Sequence, residues 1–222
     1  MSTIMIRPFA AAKFLVFAAF TLLGGCHLAG IGGNGTITTD VRPVTDFTDV
    51  EANGAFRIDW VNGPAACTLT TDSNLLTYVE TSVSGHTLRI HSRESMRPTD
   101  GFKVKLSSSA LSGVRLTGAV RFSAAKVAGK GFYLETSGAT RVNVDGTVNE
   151  LVASLTGASK LDAGALQAQT AELSISGAGR ADVVASETLK VSISGAGKVI
   201  YGGNPKQVEK RISGAGSIKR RD

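Results

Sequence analysis

A triplet of Ser or Thr, then Gly, then Ala recurs through the second half of the chain, and its near-constant spacing limits the available folds more than any other feature. The glycine falls at Gly118, Gly138, Gly157, Gly177, Gly195 and Gly214, in steps of 20, 19, 20, 18 and 19 residues. A fixed period of this length marks an array of like supersecondary units. Ahead of the glycine every second residue is apolar, as in Leu151, Ala153 and Leu155, then Ala171, Leu173 and Ile175, then Leu189, Val191 and Ile193, with Phe132 and Leu134 opening an earlier copy. That alternation is a strand with one buried face. Four residues past each glycine a second apolar column appears: Phe122, Val142, Leu161, Ala181, Val199 and Ile218. Each copy therefore reads as two short strands joined at a Gly-Ala corner. A single copy buries too few side chains to offset the entropy of ordering it, so copies must share a core. Stacked as coils, each pairs with the one above and below, and like side chains fall into ladders about 4.8 Å apart. The expectation is an all-β protein folded as a parallel β-helix of about 18–20 residues per coil, and the general rule for parallel crossovers favours right-handed coils. Glycine at the corner fits a bend that admits no Cβ, and alanine beside it fits a narrow interior. The repeated Thr117, Ser137, Thr156, Ser176, Ser194 and Ser213 are expected to form a hydroxyl ladder that satisfies corner backbone groups.

The preceding region is strand-rich but irregular. "GAFRIDWVNG" places Phe56, Ile58 and Trp60 on one face and ends in the turn pair Asn62-Gly63. Cys67 and Leu69 share a face in "ACTLTT", which predicts a small buried hydrophobe rather than a reactive thiol.

The N-terminus is set apart by its own pattern. Arg7 and Lys13 precede the apolar run Phe14–Leu23, and Leu23-Gly24-Gly25-Cys26 follows at once. The run is too short to span a membrane as a helix, and small residues before the cysteine suit cleavage and acylation of its thiol. Residues 1–25 therefore read as a lipoprotein signal peptide, with Cys26 as the lipidation site and a lipid-held membrane as partner. His27 differs from the Asp of the inner-membrane retention signal, which points to the outer membrane, facing the periplasm or the surface. Residues 26–40 are expected to be a flexible tether and 41–222 the β-helical domain, with irregular coils over 41–110 and regular repeats over 111–218. Loss of the signal leaves 22 Lys+Arg against 18 Asp+Glu, a net of +4, too mild for a nucleic-acid binder. With Cys26 lipidated, Cys67 has no partner, so no disulfide is expected.

Several residues together resemble the putative auto-transporter adhesin head GIN domain family. They are Gly33-Asn34-Gly35, Arg42, "DFTDVEANGAFRIDWVNG", "SNLLTYVETSVSGHTLRI" and the terminal "SGAG" series, spanning about residues 33 to 219. The resemblance implies a β-helical cell-envelope lipoprotein, mostly of Gram-negative bacteria. It carries over no catalytic or ligand residue. The basic end "KRISGAGSIKRRD" departs from the family pattern.

Catalytic raw material is sparse. His86 and His91 lack metal-ligand spacing, "SGAG" is not a nucleophile elbow, and "SGAGK" lacks the phosphate-loop spacing, so neither a metal nor a cofactor is expected. One column stands out. Three residues past successive corner glycines come Arg121, Arg141, Lys160, Arg180 and Lys198, which stacking would turn into a basic stripe suited to an anionic glycan or other polyanion. Asp162 and Asp182, two residues beyond Lys160 and Arg180, would offset part of its repulsion. The function expected is a non-enzymatic, lipid-anchored adhesion, scaffold or glycan-binding module. The alternative is a small β-helical carbohydrate-active enzyme such as a polysaccharide lyase, which would need clustered acids for calcium. Lys210, Arg211, Lys219, Arg220 and Arg221 read as protection of the last exposed edge rather than a nucleic-acid patch.

Overall fold

The computed structural model describes residues 30–221; the expected signal peptide and Cys26 lie outside them. The described chain is a parallel β-helix of about five turns, and the 3-10 turn Leu76–Tyr78 is its only helical piece among the described residues. In the regular part the strands Arg121–Gly138, Arg141–Gly157, Lys160–Gly177 and Arg180–Gly195 each pair in parallel with the next. Each runs from one Gly-Ala corner to the following one, so the expected two short strands per copy are in fact one long bent strand. Its second bend is made by register shifts, between Ala124 and Val127 and between Asn143 and Asp145, which turn the sheet without ending it.

The corners show why the triplet repeats. Each corner glycine has positive φ, 105° at Gly138 for example, and from Gly118 to Gly177 its carbonyl oxygen accepts the alanine N–H of the next coil. Ala139 donates to Gly118 and Ala158 to Gly138, both at 2.9 Å. The corner backbone is thus met by backbone. The Ser/Thr column does stand in register, but exposed, and the ladder expected to serve the corner does not do so.

The interior is filled by accumulated files. Ile58, Phe122, Val142, Leu161, Ala181 and Val199 stack in register and are buried. A second file runs Leu116, Thr136, Leu155, Ile175 and Ile193. Thr136 is 1% exposed and its Oγ1 has no hydrogen-bond partner. Thr136→Val keeps the shape and removes an unsatisfied hydroxyl, so it should raise stability by about 1 kcal/mol. A urea midpoint unchanged or lowered would contradict this.

The N-terminal half departs from chain order. Strand Asp49–Gly54 lies between Thr87–Ser92 and Gly113–Gly118, and Phe56–Asn62 lies between Phe102–Ser108 and Arg121–Gly138. The coil formed first is therefore covered on one side by a segment that comes later. At the outer end the direction reverses: Ala66–Asp72 runs antiparallel to both Phe102–Ser108 and Ile37–Arg42. Part of the segment expected to be a tether is consequently strand, both at Ile31–Gly32 and from Ile37 onward.

A buried carboxylate fixes that strand. Asp72 is fully buried and accepts hydrogen bonds from Gly35 N–H (2.7 Å), Thr99 N–H (2.8 Å) and Thr99 Oγ1–H (2.8 Å). Burial alone would raise its pKa, but the donated hydrogen bonds outweigh that and hold it below the ordinary carboxylate value. The pin therefore acts at full strength above a pH of about 3.9 and is lost as pH falls through the lower folded value. Amide exchange should show Ile37–Arg42 opening in acid, at a pH below about 4, while the regular coils stay protected. Asp72→Asn should open the same strand already at neutral pH and lower Tm by roughly 5 °C. Exchange in that strand unaffected by the substitution would remove Asp72 from this role.

Candidate functional site

Alternation past each corner determines what faces water. Arg121 is exposed, Phe122 buried and Ser123 exposed, and the same order holds from Arg141 and from Lys160. Parallel register then brings the five expected cations together. Arg121 pairs with Arg141, Arg141 with Lys160, Lys160 with Arg180 and Arg180 with Lys198. The file also continues the other way, through Arg57 beside Arg121 and Lys103 beside Arg57. It therefore holds seven cations, bounded by Thr70 next to Lys103 and Ser217 next to Lys198. At one rung per coil it is about 29 Å long.

Other exposed files treat charge differently. Arg89, Glu51, Arg115 and Glu135 follow one another in register with alternating sign, and two pairs close as ion pairs, Arg89–Glu51 at 3.2 Å and Arg115–Glu135 at 2.9 Å. Glu172, Lys190 and Glu209 alternate likewise. Only the Lys103-to-Lys198 file carries a charge of one sign at every rung, and among the described residues its single ion pair is Lys103 with Asp100, at 2.6 Å. Stacked like charges repel, by about 1 kcal/mol per neighbouring pair in water, a modest cost that a bound anion would remove.

The two flanks of the file differ. On the side away from the corner run Asp59, Ser123, Asn143, Asp162 and Asp182 in register. Asp182 is taken up by Arg221, so it does not offset Arg180 as its sequence position suggests. On the corner side lies a groove of about 480 Å³, floored by Ala55, Ala119, Ala139 and Ala158 and walled by the cations from Lys103 to Lys160. Those alanines are exposed and face the groove, rather than filling the narrow interior expected of them.

The remaining residues singled out from sequence are dispersed. His91 Nε2 pairs with Glu80 at 2.7 Å, and His86 is exposed. Among the described residues no three His, Cys, Asp or Glu side chains gather as a metal site. Cys67 is buried, and that burial pushes its thiol up to about 11, in keeping with a packing role. At the C-terminal edge, Gln207–Ser213 and Ser217–Arg220 form the last rung and pair on one side only. Three of its five cations turn back onto the preceding structure: Lys210 stands 5.1 Å from the centre of the Tyr201 ring, Arg220 donates to Gly203 O, and Arg221 pairs with Asp182.

Arg57 and Lys103 were not evident from the repeat. The signal for Arg57 was present, because Gly54-Ala55 is followed by an arginine at the same offset as in the later copies. Lys103 has no such triplet ahead of it, and only the insertion of Phe102–Ser108 beside Phe56–Asn62 brings it into line.

Known structures share this fold. A putative adhesin from Bacteroides fragilis superposes with a TM-score of 0.67 at 20% identity, covering 86% of this chain and 100% of its own. A putative adhesin from Parabacteroides merdae gives 0.54 at 20% identity, over 87% and 99% of the two chains. A putative lipid binding protein from Parabacteroides distasonis gives 0.52 at 23% identity, over 87% and 100%. No curated protein sequence matches. The family described as "Putative auto-transporter adhesin, head GIN domain" matches residues 46–205, which take in the inserted N-terminal coils and the regular repeats up to the last rung. With most of its length matched and the β-helix in common, the chain belongs to that family.

Proposed function

We propose that the protein is a non-enzymatic, adhesin-like module of the cell envelope, held to the membrane by lipid on Cys26, which binds anionic glycans along its cation file. The file itself carries this reading. A fold that alternates charge along Arg89, Glu51, Arg115 and Glu135 and along Glu172, Lys190 and Glu209 keeps seven cations of one sign here, and six of them have no acidic partner among the described residues. An anionic ligand removes the repulsion and replaces it with charge-assisted hydrogen bonds to several guanidinium groups. Membership of a family named for adhesins agrees with a contact role rather than turnover. Nucleic acid is a poor fit, because Phe56 and Phe102 beside the groove are buried and offer no stacking surface.

The test is retention of the purified protein on immobilised anionic and neutral glycans across a salt series. Retention on the anionic set alone, weakening as salt rises and leaving the glycans intact, is the expected result. New unsaturated or reducing ends would make the protein an enzyme and overturn the reading. Mass spectrometry of the mature N-terminal peptide tests the anchor: Cys26 should carry acyl chains.

A further inference from the structure

We infer that the ligand is a linear polysaccharide carrying about one anionic group per sugar residue, lying parallel to the solenoid axis with its rings on the alanine floor. This deepens, and rests on, the proposal that the cation file binds anionic glycans. The geometry supports it in three ways. The cations advance one per rung in a straight file, so a compact anion reaches two or three of them, whereas an extended chain whose residues advance about one rung reaches all seven. Beside the five cations from Lys103 to Lys160 the floor on the corner side is a row of methyl groups, which suits the carbon–hydrogen face of a sugar ring and leaves the ring's charged substituent directed at the cations. The corner groove sets five cations against one acid, Asp100, already paired with Lys103, whereas the groove on the opposite flank sets four of the same cations against Asp59 and Asp162, so a polyanion is drawn to the corner side. The alanine groove therefore determines the side, and the register of the cations determines the direction.

The inference includes Arg57 and Lys103 as ligand contacts, because they occupy the same file despite their separation in sequence, with Lys103 reaching the ligand from beside its Asp100 partner. It predicts a length limit. Affinity should grow with chain length until the oligomer spans the file, then level off at about seven residues.

The experiment is calorimetric titration of the full-length protein, in nonionic detergent at low salt, with oligogalacturonates of roughly two to twelve residues. Inositol hexakisphosphate serves as a compact polyanion. Affinity should rise roughly twofold to fivefold per added residue up to the plateau. The double variant Arg57→Ser/Lys103→Ser should move the plateau to about five residues, and Arg180→Ser/Lys198→Ser at the other end should move it equally. Circular dichroism of both variants checks that the fold is kept; if one fails to fold, the other carries the test. Inositol hexakisphosphate binding as tightly as the longest oligomer, with no dependence on length, would overturn the axial arrangement while leaving anion binding intact. A plateau unmoved by both variants would do the same. Binding of neither probe would remove both proposals.

Discussion

Gly157→Ala should cost the fold about 3 kcal/mol, a large effect for one methyl group on a partly exposed corner. Two terms contribute. Gly157 has φ of 88°, a conformation that disfavours any residue with a Cβ by about 1–2 kcal/mol. A Cβ built there would also stand 2.7 Å from the carbonyl oxygen of Gly138, and that oxygen accepts the Ala158 N–H at 2.9 Å. Relieving the contact therefore loosens the hydrogen bond that ties one coil to the next. Gly35→Ala is the control, since Gly35 has φ of 78° but nothing within 4 Å of a Cβ. It should cost only the conformational part, about 1 kcal/mol. Denaturant midpoints compare the two, and equal losses would show that close approach between coils is not what the repeated glycine serves.

The triple substitution Arg141→Ser/Lys160→Ser/Arg180→Ser should lower affinity for an anionic polysaccharide roughly 100-fold, by removing three consecutive contacts from the centre of the file. Stability should hold or rise slightly, because neighbouring like charges are removed. Arg115→Ser/Glu135→Ser, which deletes an ion pair from an alternating file, should leave binding unchanged. Binding of the triple variant equal to the parent would place the contact elsewhere on the molecule.

The regular coils were legible because their repeat is covalent: register along the axis equals position within the copy, so aligning on the glycine recovers both the Phe122-to-Val199 core file and the Arg121-to-Lys198 cation file. The rest was hidden by topology. Phe56–Asn62 is followed in sequence by Ala66–Asp72 but neighboured in space by Phe102–Ser108, so no fixed offset links Arg57 to Lys103. Composition also misled at the N-terminus, where Gly and Thr suggested a tether as far as residue 40. The strand Ile37–Arg42 is held there by pairing with Cys67–Asp72 and by the Asp72 carboxylate, long-range partners that local composition does not reveal. The alternating charges were readable in principle, since Arg115 and Glu135 sit at one offset before successive glycines. Their significance emerges only by contrast with the single-signed file.

Both the core and the binding face depend on residues one coil apart being one rung apart. Distances between spin labels along the cation file measure this directly. Position 57 paired in turn with 160, 180 and 198 spans three, four and five rungs, so the backbone separations should be about 14, 19 and 24 Å. Adding the pair 103 and 198 should extend the series to about 29 Å, although residue 103 is nearer in sequence to 198 than residue 57 is. A series that lengthens by one equal step per rung is the predicted result. Distances that fail to grow with rung number, or a 103–198 distance shorter than 57–198, would contradict the stacked register and the continuous cation file together.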